Sequence, residues 1–212
     1  MALNFAEKTV TKKKEVSRVE DGAYPARIVQ VIDFGKQIET DYKTGEPKVY
    51  EDSGQPVIKH KVWINFELPT ETIELDGEQR PRWYGKEYTV SGHEKSALFA
   101  LLKSIDPKGE HASHGRNVRG ILGLPLMVTI GSTSSGKAKV AGVSAVPKGM
   151  HVDALANGET FFDLDGDDID VFESLPKWMQ DRITSGIDFD ETNFYQVINT
   201  KDVASKVSVA AY

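Results

Sequence analysis

The sequence predicts a mainly β protein: a five-stranded barrel with one helix between its third and fourth strands, followed by a C-terminal extension that carries a short helix. Three observations point there. The first two-thirds of the 212-residue chain contains five β-branched or alternating apolar segments separated by turn residues. One helical pattern interrupts them, between the third and the fourth. Charge then divides the chain: residues 1–148 hold 22 basic and 19 acidic side chains, a balance of +3, and residues 149–212 hold 4 and 13, a balance of −9, together the net −6.

The elements follow in order. Residues 1–19 are polar and include Lys12-Lys13-Lys14, which predicts a basic flexible arm. Gly22 to Phe34 (GAYPARIVQVIDF) is a glycine-bounded, β-branched run and reads as the first strand. Residues 35–57 are polar and rich in Gly, Pro and Asp, a long loop with room for a hairpin of its own. Ile58 to Leu68 (IKHKVWINFEL) alternates, with His60, Val62, Ile64 and Phe66 on one face and Lys59, Lys61, Trp63 and Asn65 on the other, the period of a half-buried strand. Pro69 to Arg80 reads as a charged loop around Asp76-Gly77, and Arg82 to Val90 (RWYGKEYTV) as the third strand. Ser91-Gly-His-Glu94 matches a capping box, so a helix is expected from there, with Ala97, Leu98, Leu101, Leu102 and Ile105 as its buried stripe and Asp106-Pro107 as its stop. Leu124 to Ile130 and Lys137 to Val146 are two further strands joined by a tight Gly131–Gly136 turn. A helix between strands three and four of five is the order of an OB-fold, a small barrel that commonly binds oligonucleotides; a different five-stranded sheet with one helix shares it. The expected division is a 1–19 arm, a 20–148 OB-fold domain and a 149–212 extension.

Composition narrows the chemistry. Hydrophobic residues at 39% and charged residues at 27% describe a globular chain. Without cysteine there is no disulfide, thiol nucleophile or thiolate metal site. No stretch approaches the roughly 18 apolar residues of a membrane span, and Met1–Glu7 lacks the basic start and apolar core of a secretory signal, so a cytosolic protein with no membrane partner is expected. Gly131-Ser-Thr-Ser-Ser-Gly136-Lys137 fits GxxxxGK, but Ala138 stands where a phosphate loop needs Ser or Thr, and strand-like sequence follows where it needs a helix. The run Asp163 to Asp170 places Asp168 and Ser174 where a calcium loop needs glycine and glutamate. His111 and His114 lie in a loop without a third ligand pattern, and GxSxG is absent. No catalytic residue, metal or cofactor is expected.

The remaining constellation is basic and aromatic residues at strand spacing. Lys59, Lys61 and Trp63 share a face of the second strand; Arg82, Tyr84, Lys86 and Tyr88 share a parity on the third, with Trp83 opposite. Cations attract the phosphates of single-stranded nucleic acid and rings stack its bases. Lys59, Lys61, Arg82 and Lys86 are thus candidate phosphate contacts, with Arg27 and the Lys12–Lys14 arm behind them. Trp63, Trp83, Tyr84 and Tyr88 are candidate stacking rings, not all four of which need stack: rings at these positions also serve as core, and Val90 shares the parity of Tyr88. Between Lys148 and Lys177 stand eight acids and no base, and Ser174 to Ile183 reads as a short helix from Pro176 with Leu175, Trp178, Met179 and Ile183 on one side. That helix either docks on the barrel or meets a partner protein. Residues 187–212 read as a loosely held tail.

Gly22-Ala-Tyr-Pro-Ala-Arg27, Phe66-Glu-Leu-Pro69, Glu87-Tyr-Thr-Val-Ser91, His93-Glu-Lys-Ser96 and Ser174-Leu-Pro-Lys-Trp178, in that order, resemble segments of bacteriophage single-stranded DNA-binding proteins with an OB-fold. The resemblance covers about residues 20 to 185. It implies a non-enzymatic protein that coats single-stranded DNA during phage replication, recombination or repair in the cytoplasm of the bacterial host. Many such proteins end in an acidic tail closed by an aromatic residue that recruits replication partners. Here the acids are internal, at 153–173, and the chain ends Val207-Ser-Val-Ala-Ala-Tyr212. Phage or host replication proteins would then meet the acidic extension itself, which could also shield the groove. The alternative is a protein-interaction module, for phage assembly or host inhibition, that uses the acidic extension and the Trp178 helix.

Overall fold

A computed structural model of the chain describes residues 18–41, 43–115 and 117–209, with the side chains of His114 and of 202–209 left out. The Lys12–Lys14 arm and residues 210–212 lie outside the described residues. Five strands, β1 (Gly22–Ile38), β2 (Ile58–Leu75), β3 (Glu78–Thr89), β4 (Pro125–Ser132) and β5 (Ala138–Ser144), form an antiparallel sheet in the order β3-β2-β1-β4-β5. The sheet curls into a half-barrel whose ends, β3 and β5, approach each other, with helix α1 (Ala97–Ile105) against both. Inside the curl lie Ile28, Val62, Ile64, Phe66, Leu68, Leu101, Ile121, Leu126, Val128 and Ile130, all buried. The alternation expected of the second strand thus faces its apolar side inward.

Several expectations need correction. The segment read as a charged loop, Pro69 to Arg80, is the outer half of a hairpin: β2 and β3 resume pairing after a register shift between Leu68 and Thr72, from Thr72–Pro81 to Leu75–Glu78. Asp76 and Gly77 close it at φ 53° and 86°, the paired positive values of a two-residue hairpin turn that Asp-Gly supplies at low steric cost. The helix cap lies five residues beyond the expected Ser91. Ser96 is its cap, accepting from Phe99 N at 3.1 Å and donating its own hydroxyl to Ser91 O at 3.0 Å, while Ser91 Oγ accepts from His93 N. At the far end Asp106 gathers the amides of Glu110, His111 and Ala112, and the bonds from Ala112 foremost hold its carboxyl below the usual range. The Gly131–Gly136 turn closes later, through Thr133 and Lys137, and leads straight into β5, so no helix N-terminus stands over it.

The extension contains the short helix expected after Pro176, and it is also structured elsewhere, including the stretch from residue 187 that was expected to be a loose tail. A short strand β6 (Thr160–Phe162) pairs parallel with β1, followed by α2 (Ile169–Ser174), α3 (Lys177–Thr184) and α4 (Asn193–Val209). Their apolar side chains form a second core on the outer face of the sheet, where Phe162, Leu164, Leu175, Met179, Ile183, Phe189 and Phe194 close over Ile32 and Phe34 of β1. The charge of the segment hid this: Asp168 caps α2 by accepting from Val171 N, and Asp165, Asp167, Asp170 and Glu173 are exposed between the side chains that join the core. Gly35 makes the closure fit. It sits at φ 68° in the β1 bulge, and a Cβ there would stand 2.7 Å from Leu164 Cδ1.

His60 lies beside the same bulge, its Nε2 2.6 Å from Asp33 Oδ1, and that bond raises the proton affinity of the ring. Its stabilising share is therefore complete below the unfolded value of 6.5 and is lost as pH climbs through the higher folded value. Urea midpoints from about pH 5 to about pH 8 should show the gap between the wild type and His60→Gln closing as pH rises. A gap that widens would contradict this pairing.

Candidate nucleic-acid interface

Positions 61, 63, 65 and 67 of β2 place their side chains in a row on the outer face, opposite the core-facing 62, 64, 66 and 68. Each of the four is engaged within the chain. Lys61, nearly buried, meets Glu39 and Thr89 and lies 3.6 Å from Glu87, which Arg182 of α3 also approaches. The hydrogen bond from Lys61 holds the carboxyl of Glu39 low. Trp63 stacks on Phe34 with ring centres 6.3 Å apart and meets Trp178 of α3 edge-on at 5.1 Å. Its indole lies across Gly85 of β3, where a Cβ would come within 2.2 Å of Cζ2. Trp63 Nε1 donates to Asn65 Oδ1, and Asn65 donates in turn to Gln30 of β1. Glu67, fully buried, accepts from Trp83 Nε1 and from the extension at Ala156 N and Asn157 Nδ2.

A groove along the middle of β2 and β3 therefore does not form as expected, because the chain's own extension covers that face. Lys61 and Trp63 are committed to internal contacts. Arg27 is also committed, its guanidinium donating to the carbonyls of Gly123, Val152 and Asp153. Tyr88 is corrected too: it faces the barrel core, 3% exposed, and burial pushes its hydroxyl far above the usual tyrosine range. Lys86, half-buried, places its amine 5.4 Å from the Tyr88 ring centre. Lys59, at the opposite end of β2, is half-buried and makes no ion pair among the described residues.

The other three expected residues come together on the hairpin arm. Arg82, Trp83 and Tyr84 line an open groove of about 550 Å³ with Arg80 beside them. Ile73, Leu75 and Pro81 supply its apolar floor, and Asn157 of the extension forms its inner end. Trp83 is 39% exposed, with its N–H edge held by Glu67 at 3.0 Å. Arg80 is exposed and pairs with Glu78, while Arg82 Nε donates to Thr72 O at 3.1 Å. The groove thus offers a ring with accessible surface, a second, half-buried ring and two guanidinium groups on one strand. That is the chemistry of an extended polyanion carrying flat apolar groups. Arg80 and Glu67 are the residues sequence reasoning missed. Glu67 shares the parity of Trp63 and Asn65, so its outward placement was readable, but its partners come from 16 and about 90 residues away.

Among the described residues no helix is long and apolar enough to cross a membrane, and no three acidic or histidine side chains gather as a metal site. No protein-family model, curated protein or solved structure matches this chain.

Proposed function

We propose that this protein binds single-stranded DNA with little sequence preference, on an OB-fold, and coats it during phage DNA replication, recombination or repair. The fold assignment is supported by β1 pairing with both β2 and β4 and by α1 lying between β3 and β4 in the chain, against the edge where β3 nears β5. The observation that carries the function is the hairpin groove, whose lining combines the exposed Trp83 ring with Arg80 and Arg82. Rings stack any base and arginines meet any phosphate, so such a groove discriminates strandedness more than sequence.

The test is a titration with labelled single- and double-stranded oligonucleotides at two ionic strengths. Single strands should bind tighter, and log affinity should fall linearly with log salt, at about 0.7 per phosphate neutralised. Removing both guanidinium groups, Arg80→Ala with Arg82→Ala, should reduce that slope by about 1.4. A salt-independent affinity, or equal affinity for duplex, contradicts the reading. The alternative, a protein-interaction module, is favoured by Trp178, which is half exposed on the acidic extension. A pure protein binder would leave tryptophan emission unchanged when oligo-dT is added.

A further inference from the structure

We infer that Glu67 is a positioning residue that ties the Trp83 ring to the extension, so that the groove and residues 152–157 respond as one unit. Glu67 is completely buried and no lysine or arginine pairs with it among the described residues. Its two oxygens receive three donors: Ala156 N at 2.7 Å on one, Asn157 Nδ2 at 2.6 Å and Trp83 Nε1 at 3.0 Å on the other. A carboxylate only accepts, which suits three converging donors, and a buried one short of donors is costly. The three bonds therefore depend on one another. The same segment is pinned from its other side by Arg27, which donates to Val152 O at 2.9 Å and Asp153 O at 2.7 Å. Residues 152–157 are held by a cation on their carbonyls and by a carboxylate on their amides, and that carboxylate also fixes the edge of the groove's exposed ring. Undocking the segment removes two of the Glu67 donors and releases Trp83; moving Trp83 weakens the seat of the segment.

The part of this inference that concerns affinity rests on the proposed function; the part that concerns the ring does not. The experiment uses the full chain labelled with 5-fluorotryptophan, whose three fluorine resonances are assigned by single Trp→Phe variants. Ala156 donates to Glu67 and makes no hydrogen bond to Trp83, so Ala156→Pro should move the Trp83 resonance through Glu67, leaving those of Trp63 and Trp178 in place. Glu67→Gln should move the same resonance, and the double variant should add nothing further. If Ala156→Pro unfolds the chain, Glu67→Gln alone decides, because Asn157 lines the groove beside Trp83 and its replacement would reach the ring directly. With oligo-dT as the probe, each variant should lose at least about fivefold in affinity. An unmoved Trp83 resonance overturns the inference, as does a moved one with wild-type affinity. If the wild type itself fails to bind oligo-dT, the proposed function falls, and the ligand-free resonance alone decides this inference: a displaced Trp83 signal upholds it and an unmoved one overturns it.

Discussion

Trp83→Ala is expected to weaken oligo-dT binding by about 1–3 kcal/mol, roughly 5- to 150-fold, and to abolish the quenching of tryptophan emission by the oligonucleotide. Of the three tryptophans, Trp83 alone lines the groove that Arg80 and Arg82 also line, while Trp63 and Trp178 pack on each other and on Phe34. Trp63→Ala is the matching control: it should lower stability and leave most of the quenching in place, because its ring is spent on packing. Trp83→Ala also leaves Glu67 one donor short, so its urea midpoint is measured beside its affinity. A Trp83→Ala chain that is as stable as the wild type and binds as tightly would remove the ring from the site.

Phe162→Ala should destabilise the protein by about 3–5 kcal/mol, a large part of the 5–15 kcal/mol of a typical domain. Phe162 is 1% exposed, with Phe194 edge-on at 4.8 Å and Phe172 at 5.8 Å, and it joins the cluster that covers Ile32 and Phe34. Little around it can collapse into the space a lost ring would leave, since Phe194 and Ile183 are themselves fully buried. Because β1 contributes to both cores, the loss should appear in a single unfolding transition, read by urea denaturation with far-ultraviolet circular dichroism. A barrel transition left at its wild-type midpoint would mean that the extension folds apart from it. The same shared core bears on the extension's charge. Deleting residues 149–212 would strip the cover from Ile32, Phe34 and Trp63, so its effect on DNA binding is better isolated by replacing the exposed Asp165, Asp167 and Asp170 with Asn.

The curled five-stranded sheet was legible because its signals are local. Val62, Ile64 and Phe66 alternate with Lys61, Trp63 and Asn65, and that period alone orients β2. The helix stripe Leu98, Leu101 and Leu102 is likewise buried as spaced. What stayed hidden depends on distant pairing. Ile73 and Leu75 carry the alternation of β2 through the outer hairpin, but Glu71, Glu74 and two prolines obscure it, although Asp76-Gly77 is a strong turn signal. The outer face of β2 looked like a binding surface because Lys61 and Trp63 are binding residues by type, and nothing near them in the sequence names Glu39, Phe34 or Trp178 as their partners. The phenylalanines of the second core are spread from position 34 to position 194 among acids, so no periodic stripe announces them. Parity alone placed Tyr88 with Arg82, yet one face of β3 is core at one end and groove at the other, because the hairpin runs beyond the barrel.

The most direct measurement is photo-crosslinking of an oligo-dT substituted with 5-iododeoxyuridine, followed by peptide mapping of the adducts. Adducts on Trp83 and Tyr84, lost when Arg80 and Arg82 are both replaced by Ala, are the predicted result. Adducts confined to the Lys59–Trp63 stretch or to α3, with the hairpin unlabelled, would contradict a groove on the β2–β3 arm.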